Sequence, residues 1–313
     1  MSSALPDGYT TRSATREDAT VLGDLWRRND VALGVHPEDS ATFLGWVLQL
    51  PHVRYDRDTV VVERDGEPAA FGFAMRDPAS PGSDLTWFGV VDPTNVGRGL
   101  GSWLIGWADD VVDQRADELP FPVRSGLPGP DAAAHELFSA RGYELARTTW
   151  DMSIDAAAPS DRIDLPEGVS IRTFETGRDE RTFWEVAEAT FVDHFGHAPT
   201  PYESWAAAWY DTDDWDPDRV LLAEIGGEVV GELAWIASGT DGYIASLGVL
   251  EAHRGKGIAK ALLRAAFVEI GRKGFTHATL SVDVENVTGA LQLYHAVGME
   301  QIREFHFFQR RDT

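Results

Sequence analysis

A short glycine-containing segment, residues 251 to 260 (EAHRGKGIAK), carries an unusual share of the positive charge of this chain. The 313 residues have a formal net charge of -24, and two of the three lysines lie in this segment. Glycines before a helix let backbone N–H groups approach an anion at the positive end of the helix dipole. The segment is therefore predicted to bind a pyrophosphate, and a tight turn that binds nothing is the alternative.

Such a segment works only if a strand precedes it and a helix follows it. The apolar pattern predicts a strand over 242–249, a helix from the glycines to about residue 273 and a strand over 277–283. A strand, helix and strand in this order form a parallel crossover. Hairpins are predicted over 60–75 and 221–236, so the fold class is α/β with a mixed sheet.

The chain also repeats itself. Three segments recur in the same order 156 to 161 residues later, and the matching pairs are 60–75 with 221–236, 90–104 with 248–262, and 134–144 with 290–300. Residues 153 to 168 (SIDAAAPSDRIDLPEG) lack apolar periodicity and are typical of a linker. The predicted organisation is a domain at 1–152, a linker at 153–167 and a second domain at 168–313.

Composition excludes several classes of function. The chain has no cysteine, so acyl-cysteine chemistry is impossible. Its acidity argues against nucleic acid as a partner and suits a cationic substrate, or serves solubility alone. It has neither an apolar run of about 18 residues nor the pattern of a signal peptide, so no membrane association and a cytoplasmic location are expected.

A second pattern, VDVENVTGALQLYHAVGM (282–299), places Asn286 at a strand end and Tyr294 eight residues later on a helix. Together the two patterns resemble the GNAT superfamily of acyl-CoA N-acyltransferases, in its tandem two-domain type. The resemblance covers the second half and, through the repeat, most of the first. The residues that carry it are Val249, Arg254, Gly255, Gly257, Ala259, Asn286, Ala290, Leu293, Tyr294, Gly298 and Met299.

The resemblance implies two tandem GNAT domains, each a mixed, mainly antiparallel sheet flanked by helices, with the parallel crossover at the CoA site. It implies acetyl-CoA as the cosubstrate and no metal. The residues expected to bind acetyl-CoA are Leu247, Gly248, Val249, Arg254, Gly255, Lys256, Gly257, Ile258, Ala259 and Asn286.

Two side chains are predicted to move protons in this reaction. By resemblance, the Tyr294 phenol donates a proton to the departing thiolate, whereas a core aromatic is the structural alternative. Glu232 lies among apolar neighbours on the preceding strand and is the candidate general base. A hydrogen-bonded strand residue is the alternative for Glu232, and Asp241 and Glu203 are weaker candidates for the base.

The segment DHFGHAPTPYESW (193–205) occupies the position of the acceptor-side wall in this family. His194, His197 and Glu203 are its candidate substrate contacts. The two histidines have no evident third ligand, so no metal site is predicted.

The two halves are not equivalent. The first half has Val96 where the second has Arg254, and Phe138 where the second has Tyr294. Without the phenol, the first half is predicted not to catalyse acylation, and its role is structural or that of a substrate wall. Its matching residues are the weaker candidates for binding CoA, namely Val91, Gly97, Arg98, Gly99 and Gly101.

The sequence therefore predicts an N-acetyltransferase that acts on the amine of a small, cationic or amino-sugar-like acceptor, as a monomer or homodimer. A catalytically silent CoA-binding or regulatory module is one alternative. A protein N-acetyltransferase is another.

Overall fold

The first half begins with a short strand and ends with a long one. The computed structural model describes residues 4–35, 44–45, 47–48, 50, 53–76, 84–115, 122–156, 163–192, 199–210, 212, 215–285 and 289–311. The first elements are β1 (Thr10–Arg12), α1 (Ala19–Leu33), α2 (Tyr55–Asp58), β2 (Thr59–Arg64), β3 (Glu67–Met75) and β4 (Leu85–Val91). They are followed by α3 (Leu100–Asp113), β5 (Val123–Pro128), α4 (Ala132–Ala140) and β6 (Tyr143–Asp155).

The second half repeats this order. Its elements are β7 (Val169–Thr173), α5 (Glu180–Phe191), α6 (Tyr202–Tyr210), β8 (Val220–Ile225), β9 (Glu228–Ser238), β10 (Asp241–Val249), α7 (Ile258–Arg272), β11 (His277–Asp283), α8 (Ala290–Val297) and β12 (Glu300–Arg310). The predicted hairpins are β2–β3 and β8–β9, and both pair antiparallel. Strands β10 and β11 pair in parallel, as the crossover requires.

All twelve described strands form one continuous sheet. The last strand of each half pairs with a strand of the other half. The strand order is β1-β2-β3-β4-β5-β12-β6-β11-β10-β9-β8-β7. Strand β12 of the second half pairs with β5 of the first, and β6 of the first half pairs with β11 of the second. Each half of the sheet is therefore completed by the other half of the sequence.

The hydrophobic cores show the same exchange. Phe308 of β12 is buried in the first-half core with Trp87 and Tyr143, and Met152 of β6 is buried in the second-half core. Burying a large apolar side chain contributes about 2 kcal/mol. The exchanged strands therefore contribute to stability through their side chains as well as through their backbone hydrogen bonds.

A matching pair of ion clusters supports the internal repeat. In the first half Arg12 contacts Asp18 and Glu63, each at 2.7 Å. About 160 residues later, Arg172 donates hydrogen bonds to Asp179 at 2.9 Å and to Glu224 at 2.7 Å. In both clusters the arginine lowers the pKa of the aspartate.

The stretch predicted as a linker is partly regular structure. Its first three residues, 153–155, belong to β6 and pair with β11. None of the helices in the described ranges combines the length and the apolar character that a bilayer-spanning helix needs.

Candidate active site

The glycine segment forms a tight connection between β10 and α7. After β10 come a 3-10 turn (Glu251–His253) and residues 254–257, and Gly257 is the N-cap of α7. Gly255 and Gly257 have φ values of 74° and 83°, in the left-handed region that favours glycine. This conformation leaves the first N–H groups of a 15-residue helix pointing towards an incoming anion.

Basic side chains surround this connection. The Arg254 Nε atom donates a hydrogen bond to the Val249 carbonyl at 3.0 Å, which fixes the start of the segment to the end of β10. The Lys256 Nζ atom donates to the Ala252 carbonyl at 3.2 Å and is exposed. The predicted anion-binding residues are therefore together at one end of α7.

An opening lies between β10 and β11, beside this connection. The two strands pair only from Asp241 to Tyr243 on β10 and from His277 to Thr279 on β11. Beyond these pairs β10 stays paired with β9, and β11 stays paired with β6. Residues 244–249 of β10 therefore present a backbone edge to which no described strand is paired. This edge includes the predicted binding residues Leu247, Gly248 and Val249.

The Tyr294 side chain is half-buried on α8 and packs against the second-half core. Burial, and to a smaller degree the neighbouring Tyr243, raises the pKa of Tyr294 to about 12. The phenol therefore keeps its proton at neutral pH and has a proton to donate.

The Glu232 side chain is wholly buried on β9, directly opposite Gly248 of β10. Burial raises its pKa to about 8, and a hydrogen bond from Ser246 has a smaller effect in the opposite direction. The Ser246 Oγ atom donates to Glu232 Oε1 at 2.8 Å. A carboxyl group with such a pKa is protonated and deprotonated near neutral pH, as a general base requires.

Gly248 allows the carboxylate to lie this close to the backbone of β10. A Cβ atom built at Gly248 would overlap Thr190 Oγ1 and lie 2.7 Å from Thr190 Cβ and 2.9 Å from Glu232 Oε1. Thr190 lies near the end of α5, so one buried polar cluster joins α5, β9 and β10.

The other predicted site residues are less informative. Asn286, His194 and His197 lie outside the described residues. Glu203 is exposed on the first turn of α6. Asp241 is at the opposite end of β10 from Gly248, where its carboxylate contacts Thr276 and His277. Among the described residues, no three His, Asp or Glu side chains are grouped as a metal site would need.

The first half has the same backbone at its glycine segment. Gly97 and Gly99 have φ values of 79° and 87°, and Gly99 is the N-cap of α3. The register of β3 and β4 nevertheless places Phe71 opposite Val90, where the second half has Glu232 opposite Gly248.

In the first half, phenylalanine occupies the three positions that correspond to Glu232, Ser246 and Tyr294. These positions are Phe71 for Glu232, Phe88 for Ser246 and Phe138 for Tyr294. The Phe88 ring lies 6.2 Å from that of Phe305, and both rings cover Gly126 of β5. Sequence reasoning alone missed Ser246 and Phe88, although the repeat aligns them.

Comparison with known proteins gives a consistent result. The model of the Acetyltransferase (GNAT) family matches residues 183–299. A mycothiol acetyltransferase of Thermobispora bispora is 33% identical over 243 residues, covering 75% of this chain and 77% of the relative. Another, of Salinispora arenicola, is 27% identical and covers 99% of this chain and 100% of the relative.

Solved structures with a similar fold are also GNAT proteins. A GCN5-related N-acetyltransferase from Sphaerobacter thermophilus has a TM-score of 0.86 and 30% identity, covering 98% of this chain and 96% of that one. A tandem GNAT protein from the clavulanic acid biosynthesis pathway has the same fold, with a TM-score of 0.70 at 15% identity, covering 96% of this chain and 98% of that one. The chain therefore belongs to the GNAT acetyltransferase family and is an acyltransferase.

Proposed function

We propose that this chain moves an acetyl group from acetyl-CoA directly to the amine of a small acceptor, at a site in the second half. The observation that carries the proposal is Glu232, a buried carboxyl group with a pKa of about 8, paired with Gly248 of β10, whose other edge, towards β11, is open. Direct transfer fits a chain without cysteine.

The residues present fit acetyl-CoA. Gly255 and Gly257 hold the backbone in a conformation that leaves the N–H groups of α7 for a pyrophosphate, with Arg254 and Lys256 beside them. The opening between β10 and β11 gives the rest of the molecule a place beside a backbone edge. When bound, acetyl-CoA supplies an acetyl group activated as a thioester.

Three groups of this chain then have distinct roles. Glu232 accepts the proton that the ammonium of the acceptor must lose before its nitrogen can attack. Backbone N–H groups of residues 247–249 stabilise negative charge as it develops on the acetyl oxygen. Tyr294 keeps a proton that its hydroxyl donates to the departing sulfur.

The first half is proposed to be a non-catalytic domain. The domain boundaries are proposed at residues 1–152 and 168–313, and β6 extends to Asp155 into the linker between them. This assignment is supported by the three phenylalanines in place of Glu232, Ser246 and Tyr294. The first half still contributes β6 to the catalytic half of the sheet.

The acceptor is proposed to be a cationic or amino-sugar-like amine. The net charge of -24 supports this class, because an acidic protein attracts a cationic substrate. A small acceptor also accords with the relatives named mycothiol acetyltransferase.

Thiol release from acetyl-CoA tests the proposal. The full chain is incubated with acetyl-CoA and a panel of polyamines, amino sugars and peptides, and products are identified by mass spectrometry. We expect release that depends on a small amine, together with an N-acetylated product. Glu232→Gln should lower the rate about 100-fold or more.

The matched control is Glu228→Gln, an exposed position on the same strand, and it should leave the rate unchanged. The proposal is wrong if no amine accelerates thiol release. It is also wrong if only peptides are acetylated, because the chain would then be a protein acetyltransferase.

A further inference from the structure

Glu232 has no surface of its own for an acceptor to reach. Its side chain is 0% exposed, whereas Ser246, which donates a hydrogen bond to it, keeps 7% exposure. A proton from an acceptor must therefore reach the carboxylate through a neighbouring group, and Ser246 is in hydrogen-bond contact with it.

The backbone of β10 aims Ser246 at this position. Pairing with β9 is irregular between Ile244 and Ser246, so one extra residue interrupts the alternation of side chains. Such a bulge redirects the side chains that follow it. Ser246 then pairs with Ala234 and is the diagonal neighbour of Glu232 on the same face of the sheet.

Other described groups do not offer Glu232 a second route for its proton. Glu232 Oε2 is buried and has no hydrogen-bond partner among the described residues. Thr190 lies close by, but its hydroxyl already donates to the Ala187 carbonyl at 3.0 Å. Within the described part of the chain, the side chain hydrogen-bonded to the carboxylate is that of Ser246.

We propose that the Ser246 hydroxyl relays the proton of the acceptor ammonium to Glu232, across its 2.8 Å hydrogen bond to the buried carboxylate. This inference rests on the proposed function. Ser246 Oγ takes a proton from the ammonium while its own proton passes to Glu232 Oε1. The amine nitrogen regains its electron pair, the serine is again a neutral hydroxyl, and Glu232 becomes a neutral acid.

Comparison with the first half indicates that Ser246 and Glu232 act together. Phe88 occupies the position of Ser246, and Phe71 that of Glu232, so the hydroxyl and the carboxylate are absent together. A hydroxyl whose task was only to satisfy a buried carboxylate would show the same joint loss. The test therefore needs a readout that distinguishes a relay from a structural hydrogen bond.

The experiment compares Ser246→Ala, Ser246→Thr and the control Ser281→Ala, an exposed serine of β11. Each variant is assayed for kcat and kcat/KM across pH, and for the dependence of kcat on the fraction of heavy water. We expect Ser246→Ala to lower kcat about 10- to 100-fold, the range for a hydrogen bond to a charged group. Ser246→Thr keeps a hydroxyl and should retain most of the activity.

The dependence of kcat on the heavy-water fraction identifies a relay. The wild-type rate should fall along a curved line with the heavy-water fraction, because two protons move together, and Ser246→Ala should give a straight line. The acid limb of kcat/KM should also move to higher pH in Ser246→Ala, since the serine hydrogen bond lowers the pKa of Glu232, and this shift would identify Glu232 as the titrating group. Combining Ser246→Ala with Glu232→Gln should cost little more than Glu232→Gln alone.

The possible failures are distinguishable. If Glu232→Gln keeps the wild-type kcat, Glu232 is not the base of the proposed function, and the relay is also wrong. If Glu232→Gln is impaired while Ser246→Ala keeps its kcat, only the relay is overturned. A slower Ser246→Ala with an unchanged heavy-water curve also overturns the relay, because the serine would then act only through a structural hydrogen bond.

Discussion

The buried Glu232 should make the stability of this protein fall as pH rises. Its pKa is raised from an ordinary value of 4.5 to about 8 in the folded chain, so the folded state holds a proton that the unfolded state has lost. Stability from this group is complete below about pH 4.5 and is lost as pH rises towards 8. Since one pKa unit corresponds to about 1.4 kcal/mol, the total effect is about 5 kcal/mol.

The assay is urea unfolding of the wild type and Glu232→Gln from about pH 5 to about pH 9. Across this range the free energy of unfolding of the wild type should fall relative to the variant by about 4 kcal/mol. Any fixed cost of burying the glutamine amide cancels, because it does not depend on pH. Glu228→Gln, at an exposed position, should follow the wild type.

Parallel stability curves for the wild type and Glu232→Gln would refute this reasoning. They would mean that Glu232 has the same pKa in the folded and unfolded chain. A carboxyl group of that kind is too weak a base near neutral pH for the proposed role.

Three further predictions concern glycines and the shared sheet. Gly257→Ala strains a φ of 83° and should raise the KM for acetyl-CoA, measured by steady-state kinetics, whereas Gly99→Ala should leave it unchanged. Gly248→Ala forces a Cβ into Thr190 and Glu232, and should cost about 1–3 kcal/mol in urea unfolding and reduce kcat. The halves expressed separately lack either β6 or β12, so neither should give a cooperative thermal transition, whereas co-expression should restore one.

Local patterns predicted most of the fold. Hairpins, the glycine connection and the parallel crossover each depend on residues close together in sequence, and their predicted bounds agree with β2–β3, β8–β9 and β10–α7–β11. The exchange of β6 and β12 was not predictable in this way. Each of these strands pairs with a strand more than 100 residues away along the chain, so no local pattern specifies its partner.

The candidate site shows the same limit. Glu232 stands out in the sequence as a charge among apolar residues, but its complete burial and its hydrogen bond to Ser246 depend on the register of β9 and β10. A strand bulge sets that register, and no residue type marks it. The internal repeat offered one further clue to the role of Glu232. Aligning the two halves places Phe71 of the half proposed to be non-catalytic at the position of Glu232.

The central claim is that the second half carries out acetyl transfer with Tyr294 as the proton donor. Single-turnover transfer by Tyr294→Phe and by Phe138→Leu, with the affinity for CoA measured in parallel, tests it most directly. We predict that Tyr294→Phe slows the chemical step about 100-fold or more at nearly unchanged CoA affinity, and that Phe138→Leu transfers acetyl at the wild-type rate. Equal rates for Tyr294→Phe and the wild type, or a loss confined to Phe138→Leu, would contradict the claim.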